Sequence, residues 1–192
     1  MATTPTVEER IVSGQLWEEY CDALKHAGQL LKRPEAPRDA FNQAEGMRYL
    51  SRMVRAGLEA LVEAAEPEFP AFLASLATGT IKMGADNPDN LYQTARIRGT
   101  LEYRIRGSRG TVPTINFATK KGGYHKPGAD MVGTGFLDGR ELQVDADGRF
   151  EILLSTRRPE SGNWLPLEPD SNQLLVRQTF RDRRHEQAAQ LA

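Results

Sequence analysis

Ala95-Arg96-Ile97-Arg98-Gly99-Thr100-Leu101-Glu102-Tyr103-Arg104-Ile105-Arg106 is the stretch whose reading decides the fold. Every second residue is apolar or small, and those between are Arg, Thr or Glu. Successive side chains of a strand point to opposite faces, so this period of two predicts a half-buried β-strand. Ala95, Ile97, Gly99, Leu101, Tyr103 and Ile105 face inward, and Arg96, Arg98, Thr100, Glu102, Arg104 and Arg106 face the other way.

Downstream, Gly107-Ser-Arg-Gly110 reads as a hairpin loop into a strand over Thr111–Thr119. Lys120–Gly135, rich in Gly and Lys, reads as a long exposed loop. Leu142–Asp145 and Arg149–Thr156 are predicted to form a hairpin about Asp147-Gly148, residues that accept positive φ at little cost. Pro159–Asp170 reads as irregular and Leu174–Phe180 as the last strand. Five or more strands with short connections predict a sandwich or partly open barrel.

Upstream the period is helical. Thr6 and Glu9 have capping-box spacing. Ile11, Leu16, Tyr20, Leu24, Ala27 and Leu31 then make one apolar stripe of a helix over Val7–Lys32. Two prolines in Arg33-Pro-Glu-Ala-Pro-Arg38 end it. Asp39 caps a second helix to Glu66, striped by Met47, Leu50, Val54, Leu58, Leu61 and Ala65. A short helix over Ala71–Leu76 follows the turn at Pro67–Pro70. The fold class is therefore α+β: a helical hairpin in residues 1–80 packed on an antiparallel β-sandwich in residues 81–192, as two domains or one integrated unit.

Composition bounds the function. The 192 residues are 39% hydrophobic and 27% charged, enough apolar material for a core. Net charge is −1, so nothing draws the whole chain to nucleic acid or an anionic membrane. Residues 1–93 nevertheless carry nine basic against fourteen acidic side chains, and residues 94–192 sixteen against twelve. That asymmetry reads either as attraction between the halves or as a basic half that holds an anion. The one cysteine, Cys21, and the absence of a signal-peptide pattern or an apolar run of the ~20 residues needed to span a bilayer predict a soluble cytoplasmic protein.

No catalytic signature is present: no nucleophile elbow, phosphate loop, Cys-x-x-Cys or His-x-x-x-His. No cofactor and no metal is expected. His26, His125 and His185 are far apart; His26 reads as a helix surface residue, and His125, in the Gly-rich loop, as the better candidate acid or base. Asp86-Asn-Pro-Asp-Asn90 offers oxygen ligands but lacks calcium-loop spacing, and Asn87 with Pro88 reads as a cap. The row Arg96, Arg98, Arg104 and Arg106 reads either as an anion clamp or as a solvated edge. Trp164 reads either as a plug of the β core or as a pocket wall.

Three motifs carry a resemblance: Val144-Asp-Ala-Asp-Gly-Arg-Phe-Glu-Ile152, then Ser155–Pro159 leading to Asn163-Trp-Leu-Pro166, and Leu174-Leu-Val-Arg-Gln-Thr-Phe180. With Glu45-Gly-Met-Arg-Tyr-Leu50 and Asp86-Asn-Pro-Asp-Asn-Leu-Tyr92, the chain from about Ala44 to Asp182 resembles the bacterial domain-of-unknown-function family twelve-fourteen, some of whose members are linked loosely with sulfotransferases. The resemblance implies a jelly-roll-like β domain and no established reaction. This chain departs from it in ending at Ala192, where longer members continue, and in carrying Arg183 where an aromatic often follows Asp182.

The reading that results is a binding module for an amphipathic or anionic metabolite, with Tyr92, Arg104, Arg106, His125 and Trp164 as candidate liners. Its alternatives are a cofactor-independent enzyme on a lipid-like or polyketide-like metabolite, and a structural domain that forms homo-oligomers.

Overall fold

In this computed structural model the residues described are 4–74, 80–83, 87–123 and 130–192. His125 and Asp86 lie outside them. The chain divides into two compact units, Met1–Arg55 and Ala56–Ala192.

The first unit is helical. The predicted capping box is present: Glu9 N donates to Thr6 Oγ1 at 3.2 Å and Thr6 N to Glu9 Oε2 at 2.8 Å, opening α1 (Val7–Val12). The single helix expected over Val7–Lys32 is interrupted. Gly14, at φ 79°, leaves the right-handed helical region, and α2 (Gln15–Gly28) starts anew before a 3₁₀ turn at Gln29–Lys32. Only glycine adopts that backbone cheaply, which is why the chain turns there. Asp39 Oδ1 accepts the N–H of Asn42 at 3.0 Å and caps α3 (Ala40–Leu58), as expected. Gln43 Nε2 ties this helix back to the carbonyls of Leu31 (3.0 Å) and Pro37 (2.6 Å). Neither α1 nor α2 holds a buried residue.

The second unit begins with the end of α3, which widens into a π-helical turn at Glu59–Glu63. Nine strands follow among the described residues: β1 (Leu73–Ala74), β2 (Asn90–Arg96), β3 (Tyr103–Ser108), β4 (Thr114–Gly122), β5 (Met131–Asp138), β6 (Arg149–Ser155), β7 (Asn163–Pro166), β8 (Gln173–Thr179) and β9 (Gln190–Leu191). They make a five-stranded sheet, β1-β2-β8-β4-β5, and a four-stranded sheet, β7-β6-β3-β9. All pairs are antiparallel except β6 with β7. The class is thus α+β, helices first and strands after, and neither sheet closes into a barrel.

Both sheets contribute to one apolar cluster. Ile115, Phe117 and Val176 of the first sheet and Ile105, Ile152 and Leu165 of the second are buried in it. Phe117 meets Phe150 edge to face, with centroids 6.0 Å apart. Such a pair adds to the apolar burial that drives the fold.

Five sequence expectations are corrected. The strand read through Ala95–Arg106 is two strands in different sheets, joined by residues 97–102. Gly99 lies so close to the next segment that a Cβ would stand 1.8 Å from the carbonyl oxygen of Glu168. The Tyr103 hydroxyl locks this crossing, accepting from Arg98 N at 2.8 Å and donating to Pro67 O at 3.0 Å. Gly107–Gly110 is accordingly no hairpin but a second crossing, from β3 to β4. Parts of the expected loop Lys120–Gly135 belong to β4 and β5, and the expected irregular segment Pro159–Asp170 contains β7. Leu73–Ala74 is a strand and not the start of a third helix, because it pairs with Thr94 and Gln93.

Candidate functional site

Alternation along β2 and β8 sends Ala95, Leu174 and Val176 into the core and Tyr92, Thr94, Arg96, Gln173 and Leu175 to the other face. Over part of that outer face lies the end of α3 with its π turn. Gly57, Ala60, Leu61 and Ala64 present a largely small-residue surface toward it, leaving a trough of ≈ 390 Å³ whose floor includes Thr94 and Leu175. A Cβ added at Gly57 would meet nothing within 4 Å. Leu73, Met83 and Met131 border the trough, and Tyr92, Arg96, Gln173 and Lys120 supply its polar groups. The volume falls in the range of small-molecule sites, about 300–1,000 Å³. Single-turn π segments recur at functional sites.

The electrostatics of this trough differ from those around Arg98 and Lys121. Among the described residues Arg96 and Lys120 make no ion pair or side-chain hydrogen bond, and none of those bordering the trough is a carboxylate. Arg98 instead faces Glu68 at 3.3 Å and Glu66 at 3.9 Å. Lys121 holds Glu168 at 2.7 Å and Asp170 at 3.2 Å, and these carboxylates, Glu168 first, raise its pKa. Tyr92 accepts a 2.7 Å hydrogen bond from Asn90 Nδ2, which fixes its hydroxyl at the trough edge.

The candidates named from sequence are not gathered in one place. Tyr92 is in the trough. Arg104 and Arg106 lie on the outer face of the other sheet, where both grip Glu151 of β6, Arg106 Nε at 2.8 Å. Arg106, and then Arg104, hold the Glu151 carboxyl below its usual range. Trp164 shares that face, since Arg104 is opposite Leu153 and Leu153 opposite Trp164. Its indole N–H donates to Ser155 O at 3.2 Å and Oγ at 3.1 Å, while the Arg158 guanidinium lies 5.6 Å from the ring centroid. Among the described residues no group of three His, Cys, Asp or Glu could hold a metal, and no helix is long and apolar enough to cross a membrane.

Lys120, Gln173 and the small residues of the α3 end escape sequence reading. They are brought together by cross-strand register and by a helix lying over a sheet. The only local sign of the second feature is the i, i+3, i+7 recurrence of Gly57, Ala60 and Ala64.

No protein-family model matches the chain, and no curated protein does. It is similar to a crystal structure of an uncharacterized protein from Burkholderia cenocepacia, 51% identical over 95% of this chain, with a TM-score of 0.84. The chain spans 50% of that protein's length. A Vibrio parahaemolyticus protein, 13% identical over all of this chain and 47% of its own, superposes with a TM-score of only 0.41.

Proposed function

We propose that this chain is a small-molecule-binding module whose ligand is an amphipathic anion. The apolar part lies in the trough between the α3 end and the five-stranded sheet, and the charged part reaches Arg96 and Lys120. The observation that carries the reading is an apolar-floored depression opening on two cations that have no ion-pair or hydrogen-bond partner among the described residues. Unpaired cations beside a low-dielectric wall favour an incoming anion more than cations already neutralised by carboxylates. The relocation from Arg104 and Arg106 rests on Glu151, which occupies both of those guanidiniums.

The finer fold reading accompanies this. The core shared by both sheets supports a jelly-roll-like sandwich, and the tie from Gln43 to Leu31 supports a hairpin of α2 and α3. The motifs set out above are the ground for placing the chain with family twelve-fourteen. The lone Cys21 fits a cytoplasmic setting.

A thermal-shift titration with dodecanoate tests the binding reading. A ligand bound only by the folded form adds about 2.7 kcal/mol at a hundredfold excess over Kd, which is about 5–10 °C in a domain of this size. Arg96→Ala with Lys120→Ala is expected to remove most of the shift, and Arg104→Ala with Arg106→Ala to leave it. The reverse pattern would reject the trough.

A further inference from the structure

We infer that the ligand of the trough carries a phosphate-type head group, held by Arg96, Gln173 and Lys120. This deepens the reading of the trough as a ligand site and rests on it. Arg96 of β2 stands opposite Gln173 of β8, and Gln173 stands opposite Lys120 of β4. The three occupy one cross-strand row, all border the same depression, and adjacent strands lie about 4.8 Å apart. A guanidinium, a carboxamide and an ammonium therefore sit side by side over a span of about 10 Å. None of the three side chains has a hydrogen-bond or ion-pair partner among the described residues.

Two features show that this row is built differently from its surroundings. The register of β4 against β5 shifts between Thr119 and Lys120. A bulge of this kind re-aims a side chain and recurs beside functional sites. Asn172 N holds the Lys120 carbonyl at 2.8 Å, which pins the backbone there. The next lysine, Lys121, is taken by Glu168 and Asp170, whereas Lys120, the first residue after the shift, has no such partner among the described residues.

The donor set selects among anions. A carboxylate offers only two coplanar oxygen atoms, the geometry that a single guanidinium fork matches. A phosphate monoester offers three strong acceptor oxygens and about −1.5 to −2 charge at pH 7. Two cations and one neutral donor, spaced along a row, can each take a different oxygen of that tetrahedral head. A carboxylate has two oxygen atoms for the three donors, so two of them must share one oxygen. The uncharged Gln173 is thus the discriminating member: it adds a donor without adding attraction for anions in general.

The full chain would be titrated calorimetrically with dodecyl phosphate, dodecanoate and dodecyltrimethylammonium, each below its micelle concentration. Inorganic phosphate would serve as competitor, and phosphatidic acid in phosphatidylcholine vesicles as the membrane arm. Dodecyl phosphate is expected to bind about tenfold or more tighter than dodecanoate. Gln173→Leu is expected to bring that ratio close to one while dodecanoate affinity stays within about twofold, its fold checked by circular dichroism. Competition by inorganic phosphate supports a soluble phosphate ester. Vesicle binding without binding of monomeric dodecyl phosphate overturns the inference in favour of a membrane surface. Equal affinity for phosphate and carboxylate, or an unchanged ratio in Gln173→Leu, overturns the head-group assignment and leaves the trough standing. If neither dodecyl anion binds, the trough reading falls with it.

Discussion

Single side chains in this molecule divide by whether a carboxylate meets them. Arg140 grips Asp138 through Nη2 at 2.7 Å and Nε at 3.1 Å, and chiefly this lowers the Asp138 pKa to about 2. The folded value lies below that of the unfolded chain. Any stabilisation it gives is therefore present above the ordinary carboxylate range and is lost as pH falls toward about 2. Carbon-detected NMR should find Asp138 titrating near that value, and Arg140→Ala should return it toward an ordinary aspartate; an unmoved midpoint would exclude the ion pair as cause. Arg96, Arg104 and Arg106 were all legible in the sequence as outward-facing basic residues. What was not legible is that Glu151 lies across the ladder from Arg106 and no acid lies across from Arg96, whose β8 neighbour is Gln173. Pairing partners come from strand register, and register is not written in either strand alone.

The elements were read well where one period ran unbroken and poorly where two elements shared a period. Burial does alternate through residues 95–106 as the sequence predicts, with Ala95, Ile97 and Ile105 buried and all four arginines exposed. Yet the chain changes sheets within that run, and a period of two cannot report it because both sheets face the same core. Gly99 was the one local sign. Its missing side chain admits the Glu168 carbonyl, so Gly99→Ala should destabilise the β unit by about 2 kcal/mol or more, read from urea unfolding. A loss below about 0.5 kcal/mol would mean that the crossing is loosely packed. The break at Gly14 and the strand β7 were missed for related reasons. A continuous apolar stripe outweighed one glycine, and a proline-rich segment concealed four residues that pair in parallel with β6. The capping box at Thr6, the Asp39 cap and a strand at Leu174–Phe180 have local signals and are present, but that strand is not the last, since β9 follows at Gln190–Leu191.

At the scale of the whole molecule, the chain joins a helical unit to a two-sheet unit with a single apolar cluster. The candidate site belongs to the second unit alone. The class α+β was legible from the change of period between residues 80 and 95. The trough was not, because it needs the π-turned end of α3 to lie over a sheet whose strands come from residues far apart in sequence. The central claim is that ligand chemistry resides on the outer face of the five-stranded sheet and not on the arginine row of the other. Mapping backbone amide shifts by NMR during a titration with dodecyl phosphate tests this most directly. Perturbations are predicted to concentrate at Ala60, Ala64, Thr94, Arg96, Lys120 and Gln173, with Arg104, Arg106, Glu151 and Trp164 unmoved. Shifts centred on Arg104 and Arg106, with the trough silent, would contradict the account.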